Sequence, residues 1–422
     1  MTDNRPGAAV NEHYLDKVLA LSEEVGVTAT EDIYDTNGNK LLAKGAEVSR
    51  RLQERLIVHR LRKPIETCIA VEGAVDACRL ADCAAQAADE SAALGAILAL
   101  SGTTGETLRR EMTALTFTPP LAMMLTMIDR GDKGGMRHVA EVATLALAFA
   151  THAGLGQDVR RVSALAGVLH DIGELYINPA LIRATHVLAP DEWAHVIVHP
   201  HIGRLLIQDL GDCPPAVAVA VAEHHERLNG TGYPRAMVVG QSSTAGQLVA
   251  AAELIAGLLH QPNPLQRADM ALKVISGEHP RTISALMSQA SRKLGDTDTD
   301  LGRAAGIDEQ EIVQLSERMN GASELAARIA RAGTVSPKHL DLLLRTRERL
   351  ALVQRAFMAT GLDMHIAVTE GAQASHAEIF ESELALREIS WRVRDIGRDL
   401  ALQLGPARTS IKEVESLLAL MC

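Results

Sequence analysis

Five short stretches of this 422-residue chain put histidines and carboxylates at spacings that suit a buried two-metal site. They are His138; His170-Asp171 in LHDIGE; His199 in HPHIG; His224-His225 running into ERLNGTGYP; and Glu253 in AAAELIAG. Imidazoles and carboxylates converging from separate helices bind first-row transition metals, and such metals activate water for attack on phosphorus. Taken singly, each stretch has a plainer reading. His138 on an apolar helical face reads as a core histidine, and His170-Asp171 as a hydrogen-bonded pair at a helix end. His195 and His199 are four residues apart, so the pattern alone admits either, and neighbours two apart, such as His199 and His201, point away from each other. Taken together, the coincidences multiply. The glycine-rich stretch after the double histidine has no local packing to explain it: Gly230 and Gly232 admit left-handed or close-approach backbone, and Pro234 stiffens the exit.

The elements that must position these groups read as helices. Between 136 and about 275 at least five are expected: one carrying His138 onward through THAGLG, one from about Asp158 to His170, and one starting near Pro190-Asp191. A fourth follows Pro214-Pro215 and ends at the double histidine, and a fifth spans roughly Gly246 to His260. His170 and His199 are 29 residues apart, and His199 and His224 are 25 apart. Each gap holds a loop and a helix, which puts successive candidate ligands on neighbouring helices. Ahead of this region, VTATEDIYD and KLLAKG read as strands joined by an Asn37-Gly38 turn. Ser49 reads as the cap of a helix through RRLQERLIVHRL, and IETCIAV as a third strand. Residues 75–130 turn helical and alanine-rich, broken at Pro119-Pro120, and GDKGG at 131–135 reads as a flexible lead. After about 280, LLLRTRERLALVQRAF and SHAEIFESELALREISWRVRDIGRDLALQL carry apolar residues at helical spacing. They are expected either to form an antiparallel pair for a homodimer or partner, or to pack on their own protein.

Composition narrows the class. Hydrophobic residues make up 47% of the chain but aromatics only 2%, which favours packed helices over β-sandwiches. A net charge of −11 argues against binding a nucleic-acid polymer non-specifically. Cys68, Cys78, Cys83, Cys213 and Cys422 form no CxxC pair and read as free thiols in a reducing compartment. With no signal-peptide pattern and no apolar run of membrane-spanning length, a cytoplasmic protein without a membrane association is expected. The fold class is mainly α: a small α/β module at 1–74, a helical connector at 75–130, the metal-binding helical bundle at 131–275 and a helical region at 276–422.

The motifs resemble the HD-GYP family, HD-superfamily phosphodiesterases of the bacterial second messenger cyclic di-GMP. The resemblance lies in the helix-borne His138, His170-Asp171-Ile172-Gly173, His199-Pro200 with Gly203, His224-His225-Glu226 through Gly232-Tyr233-Pro234, and a carboxylate at 253; it covers about residues 130–275. It implies an HD-type bundle, two divalent ions (Fe or Mn, with Zn as a further option), and cleavage of cyclic di-GMP to the linear dinucleotide by a metal-bridged hydroxide. His138, His170, Asp171, His199, His224, His225 and Glu253 would be the ligands, Asp171 bridging both ions, with His199 rather than His195 or His201 supplying that imidazole. Glu226 would orient a ligand. Gly232, Tyr233 and Pro234 would contact substrate, and the same loop would meet a diguanylate cyclase or other signalling protein. The departures matter as much. The family's phosphate-facing Lys is Glu174 here, its loop Asp is Asn229, its last Asp is Glu253, and its phosphate-gripping Arg is missing from AGLLHQPNP. Glu174 would donate a proton to the leaving group or repel phosphate. In the second case the protein would be an impaired relative that senses cyclic di-GMP or recruits a partner.

Overall fold

The computed structural model describes residues 9–131, 134–186, 188–295, 309–333, 335–360 and 376–421. Asp132 and Lys133 of the GDKGG lead, and Cys422, lie outside them. The chain divides into two compact units: the first comprises Met1–His186, His195–Glu226 and Gly240–Leu259, the second Val187–Ala194, Arg227–Val239 and His260–Cys422.

The first unit opens with a helix that the polar reading of the N-terminus misses, α1 (Glu12–Glu24). Asn11 caps it by accepting from the Tyr14 N–H at 3.0 Å, and it buries Tyr14, Leu15, Val18, Leu19 and Leu21. The expected first strand is two, β1 (Val27–Ala29) and β2 (Ile33–Tyr34), because Asp32 turns the chain between them by accepting from the Lys44 N–H at 2.8 Å. β2 pairs antiparallel with β3 (Lys40–Leu42) around Gly38, whose φ of 87° is the conformation a hairpin turn asks of glycine. β1 pairs instead with β4 (Ile69–Val71), the expected third strand. Ser49 does not cap a helix: it makes no cap hydrogen bond, a single 3₁₀ turn follows, and α2 covers only Gln53–Val58. Sheet pairing wins beyond that point, since Thr36 N–H donates to Arg60 O at 2.9 Å and Arg62 N–H to Tyr34 O at 2.9 Å.

Helices α3 (Ala77–Glu90), α4 (Ala92–Ser101), α5 (Gly105–Thr113) and α6 (Pro119–Gly131) follow, three of them capped by Asp76, Ser91 and Thr104. Proline at the start of α6 needs no N–H partner, so the Pro-Pro break becomes a helix start. The centre of the unit is α7 (Gly135–His152), buried on all sides from Val139 to Ala150. It packs on α3, on α8 (Gln157–Leu169) and on α13 (Thr244–Ala256). Gly167 permits the closest crossing: a Cβ there would stand 2.8 Å from the Ala143 Cα. α9 (Pro179–Ile182), α11 (His199–Leu210) and α12 (Pro215–Glu223) complete the unit, while α10 (Pro190–Val196) belongs through Ala194 to the second.

The second unit is built from α14 (Pro264–Lys273), α15 (Arg281–Gly295), α16 (Glu309–Arg331), α17 (Pro337–Ala359), α18 (His376–Leu404) and α19 (Val414–Met421). The apolar stripes of α16, α17, α18 and α19 meet in one core that includes Leu315, Met319, Leu343, Leu350, Ile389, Val393, Ile396 and Leu417. The helical spacing read from the sequence is thus spent on the unit's own interior. No helix among the described residues is long and apolar enough to cross a membrane. Cys68, Cys78, Cys83 and Cys213 are free thiols.

Candidate metal centre

All seven candidate ligands lie in the first unit, and their donor atoms form two groups that share one member. His138, His170, Asp171 and Glu253 make one; Asp171, His199, His224 and His225 make the other. Within each group the ligand atoms lie within 4.8 Å of one another.

Helix ends do the positioning. His170 follows the last residue of α8, and its Nδ1 lies 2.8 Å from Gly167 O. His224 follows the last residue of α12, with Nδ1 2.6 Å from Val221 O. His199 opens α11, with Nδ1 2.8 Å from Val196 O. A carbonyl only accepts, so each Nδ1 carries a ring hydrogen, and in the neutral ring each Nε2 presents a lone pair. His138 projects from the first turn of α7, and Glu253 from α13. Glu223, which the sequence gives no reason to single out, joins α12 to α13 by accepting from the Ser243 N–H at 2.8 Å and its hydroxyl at 2.6 Å. Ser243 caps α13, the one local signal that marks this junction. Gly173 is the glycine the site cannot replace: a Cβ there would stand 2.1 Å from His199 O.

The lone pairs face one another. His199 Nε2 and His224 Nε2 are 3.1 Å apart, and each is 3.4 Å from Asp171 Oδ1. His170 Nε2 is 3.0 Å from Asp171 Oδ2 and 3.1 Å from Glu253 Oε2, which is itself 3.0 Å from His138 Nε2. His170 Nε2, Asp171 Oδ1 and Glu253 Oε2 are buried without a hydrogen-bond partner. Acceptors converging on acceptors in a buried site call for positive charge at the centre. The titration behaviour agrees. Burial pulls His170 down, yet Asp171 and Glu253 outweigh it and hold this imidazole well above its ordinary value. Burial pushes Asp171 and Glu253 up, and the surrounding histidines overcome it and hold both well below theirs. Burial, reinforced by His224 and His199, drives His225 well below. The donor set, all imidazole nitrogen and carboxylate oxygen, fits two divalent transition ions.

The other sequence candidates are placed as follows. His195 and His201 are exposed and belong to neither group. Glu226 is buried beside the double histidine. Glu174 lines a cavity together with His138 and Asp171; burial, then the Asp171 charge, raises its carboxyl to about 7. Gly232, Tyr233 and Pro234 belong to the second unit, where the Tyr233 ring meets Trp193 edge-on at 5.2 Å. Asn229 keeps the turn there by accepting from the Thr231 N–H at 3.1 Å.

A helical bundle whose helix ends aim imidazoles and carboxylates at two adjoining centres defines a helical domain with groups that could hold metal. Residues 135–261 match the HD domain family. The chain is 28% identical over 145 residues to a cyclic di-GMP phosphodiesterase of Pseudomonas aeruginosa, covering 34% of this chain and 35% of that one. It is 27% identical to a cyclic di-GMP phosphodiesterase of Thermotoga maritima, covering 40% of this chain and 48% of the relative. A 3'3'-cGAMP-specific phosphodiesterase of Vibrio cholerae is 26% identical, with 36% and 35% covered. The chain thus spans between about a third and a half of the length of these relatives. Among solved structures, an HDG"Y"P protein from Bdellovibrio bacteriovorus aligns with a TM-score of 0.35 at 17% identity, over 64% of this chain and 95% of that one.

Proposed function

We propose that this protein is a metal-dependent phosphodiesterase of cyclic di-GMP, working in the cytoplasm and yielding the linear dinucleotide. The observation that carries the reading is the position of Asp171, whose Oδ1 faces His199 and His224 while its Oδ2 faces His170. One carboxylate shared between two ligand groups is the arrangement a two-ion centre needs. His138, His170, His199, His224, His225, Asp171 and Glu253 would hold the ions. Divalent cations held there would supply Lewis acidity to the phosphodiester and to a water.

The chain's own residues do the rest. The Nδ1–carbonyl bonds of His170, His199 and His224 orient these three rings before substrate arrives. Glu174, with its carboxyl near 7, keeps a proton at neutral pH for part of the population and is suited to pass it to the departing 3′-oxygen. Glu226 is read as a positioning residue for the histidines it follows. Gly232, Tyr233 and Pro234 are assigned to substrate recognition, and their loop to a signalling partner such as a diguanylate cyclase, on the motif pattern alone.

Glu174 also supports a second reading. A carboxylate where the family pattern has a lysine removes a charge-assisted phosphate contact and adds a repulsive one. On that view the protein binds cyclic di-GMP as a sensor and turns it over poorly. The deciding experiment loads the protein anaerobically with Fe or Mn and follows cyclic di-GMP by chromatography. Conversion to the linear dinucleotide that Asp171→Ala abolishes supports the enzyme. Tight binding without conversion supports the sensor, and failure to hold about two ions per chain by elemental analysis sinks both.

A further inference from the structure

A cavity of about 430 Å³ in the first unit opens on His138, Asp171 and Glu174 and is walled on its far side by α1. That size suits a nucleotide portion of a ligand. Its lining divides by chemistry. Leu21, Met127, Val139, Leu175 and Ile182 give an apolar surface that a planar base would cover. Lys17, Arg130 and Arg183 bring positive charge, against Asp16, Glu24 and Glu174.

Lys17 is the informative member. Its Nζ donates to Glu174 O at 3.1 Å and to Leu175 O at 3.0 Å. The side chain at 174 is an acid where the motif pattern has a phosphate-facing ammonium, and an ammonium from α1, 157 positions earlier in the chain, sits on the backbone of that same residue. The helix that delivers it is anchored to the same segment: Asn11 Nδ2 donates to Tyr176 O at 3.3 Å, and the Tyr14 and Tyr176 rings stack with centroids 4.8 Å apart. Tyr176 in turn donates to Glu66. An ammonium held by two carbonyls loses little freedom when an anion arrives, which is the condition for a strong charge-assisted contact.

We propose that α1 completes the substrate pocket, with Lys17 taking a phosphate of a cyclic dinucleotide and Arg183 reinforcing it at the rim. The inference rests on the phosphodiesterase reading for the identity of the ligand. It makes the N-terminal module part of the binding site.

The test measures equilibrium binding of the non-hydrolysable bis-phosphorothioate analogue of cyclic di-GMP to the metal-loaded full chain. Turnover of bis(p-nitrophenyl) phosphate, a small diester that does not fill the cavity, is measured in parallel. Lys17→Met is expected to weaken analogue binding about tenfold or more, the loss of one charge-assisted contact. Lys17→Arg should recover most of the affinity, and both variants should keep wild-type metal content. Should Lys17→Met prove unstable, Arg183→Met at the exposed rim takes its place, with an expected loss of several-fold. Analogue affinity unchanged within twofold overturns the inference, as does Lys17→Arg binding as weakly as Lys17→Met, which would make the role structural. A wild type that cleaves the small diester but does not bind the analogue also overturns it and leaves the metal chemistry intact. Lys17-dependent binding with no cleavage of any diester sustains the inference and removes the catalytic reading.

Discussion

Replacing Arg392 by Met tests how the second unit is held together. Arg392 lies on α18 with Nη2 2.8 Å from Glu278 Oε2 and Nε 3.0 Å from Glu278 Oε1, and both side chains are buried. The Thr231 hydroxyl donates to the same carboxylate at 2.6 Å, and Arg349 Nη2 donates to Thr231 O at 3.3 Å, so the pair also anchors the loop that leads into Gly232-Tyr233-Pro234. Burial pushes the Glu278 carboxyl up, but Arg392 outweighs it and, with Arg227, holds it at about 2 against an ordinary 4.5. A lowered carboxylate contributes stability above its ordinary value and loses it as pH falls toward 2; here the contribution at neutral pH is about 3 kcal/mol. Breaking a buried pair from one side costs a similar amount, about 3–5 kcal/mol. Arg392→Met should therefore cost about 3–5 kcal/mol. Glu278→Gln should cost less, about 2 kcal/mol, because Glu388 still meets Arg392 at 3.1 Å. The double variant should lose clearly less than the sum, a coupling of about 2 kcal/mol or more. Urea unfolding followed by tryptophan fluorescence reads this unit selectively, since Trp193 and Trp391, the chain's two tryptophans, both belong to it. Arg392 lies over the Trp391 ring at 4.6 Å, so midpoints and not amplitudes carry the comparison. Single and double variants that add without coupling would refute the pair as the anchor.

Other outcomes follow from the same geometry. Asp171→Asn should lower bound metal from about two ions per chain to one or none by elemental analysis, since one side chain serves both groups. Gly173→Ala should lower stability by about 3 kcal/mol or more, because its Cβ would stand 2.1 Å from His199 O; thermal unfolding and metal content should fall together. Asp395 is held at about 6, chiefly by burial, against an ordinary 3.8. The stability such a raised acid brings is complete below 3.8 and lost as pH climbs through 6. Asp395→Asn should thus stabilise the protein at pH 8 by up to about 3 kcal/mol and by less at pH 5, in paired urea melts. Glu174→Gln should raise affinity for the cyclic di-GMP analogue about tenfold at pH 8, where the native carboxylate is mostly ionised; an unchanged dissociation constant would show that this acid does not face phosphate.

The convergence of seven scattered groups was legible because imidazole and carboxylate chemistry is written in single residues, and helix lengths follow from local pattern. Pairings across long separations were not. Nothing in the neighbourhood of Lys17 points to residues 174 and 175, and nothing near Glu223 points to Ser243. The strand break at Asp32 and the short α2 depend on which backbone finds a sheet partner, a tertiary decision that overrides local propensity. The apolar spacing of α1 at Tyr14, Leu15, Val18 and Leu19 was present in the sequence, with Asn11 as its cap. The allocation of Arg227–Val239 to the second unit was hidden, because it depends on Arg392 and Arg349, more than a hundred positions away.

His170, His199 and His224 all borrow a carbonyl from the adjacent turn, so the same bonds that finish off these helices also orient the cage. Fraying of the last turn of α8 or α12 would release the carbonyl, let the ring spin and loosen its grip on a cation. Chelation should then speed amide hydrogen exchange in those terminal turns, and any change that unravels them should shorten the residence time of the ion. Cation retention in this protein is, in that sense, a property of secondary-structure ends.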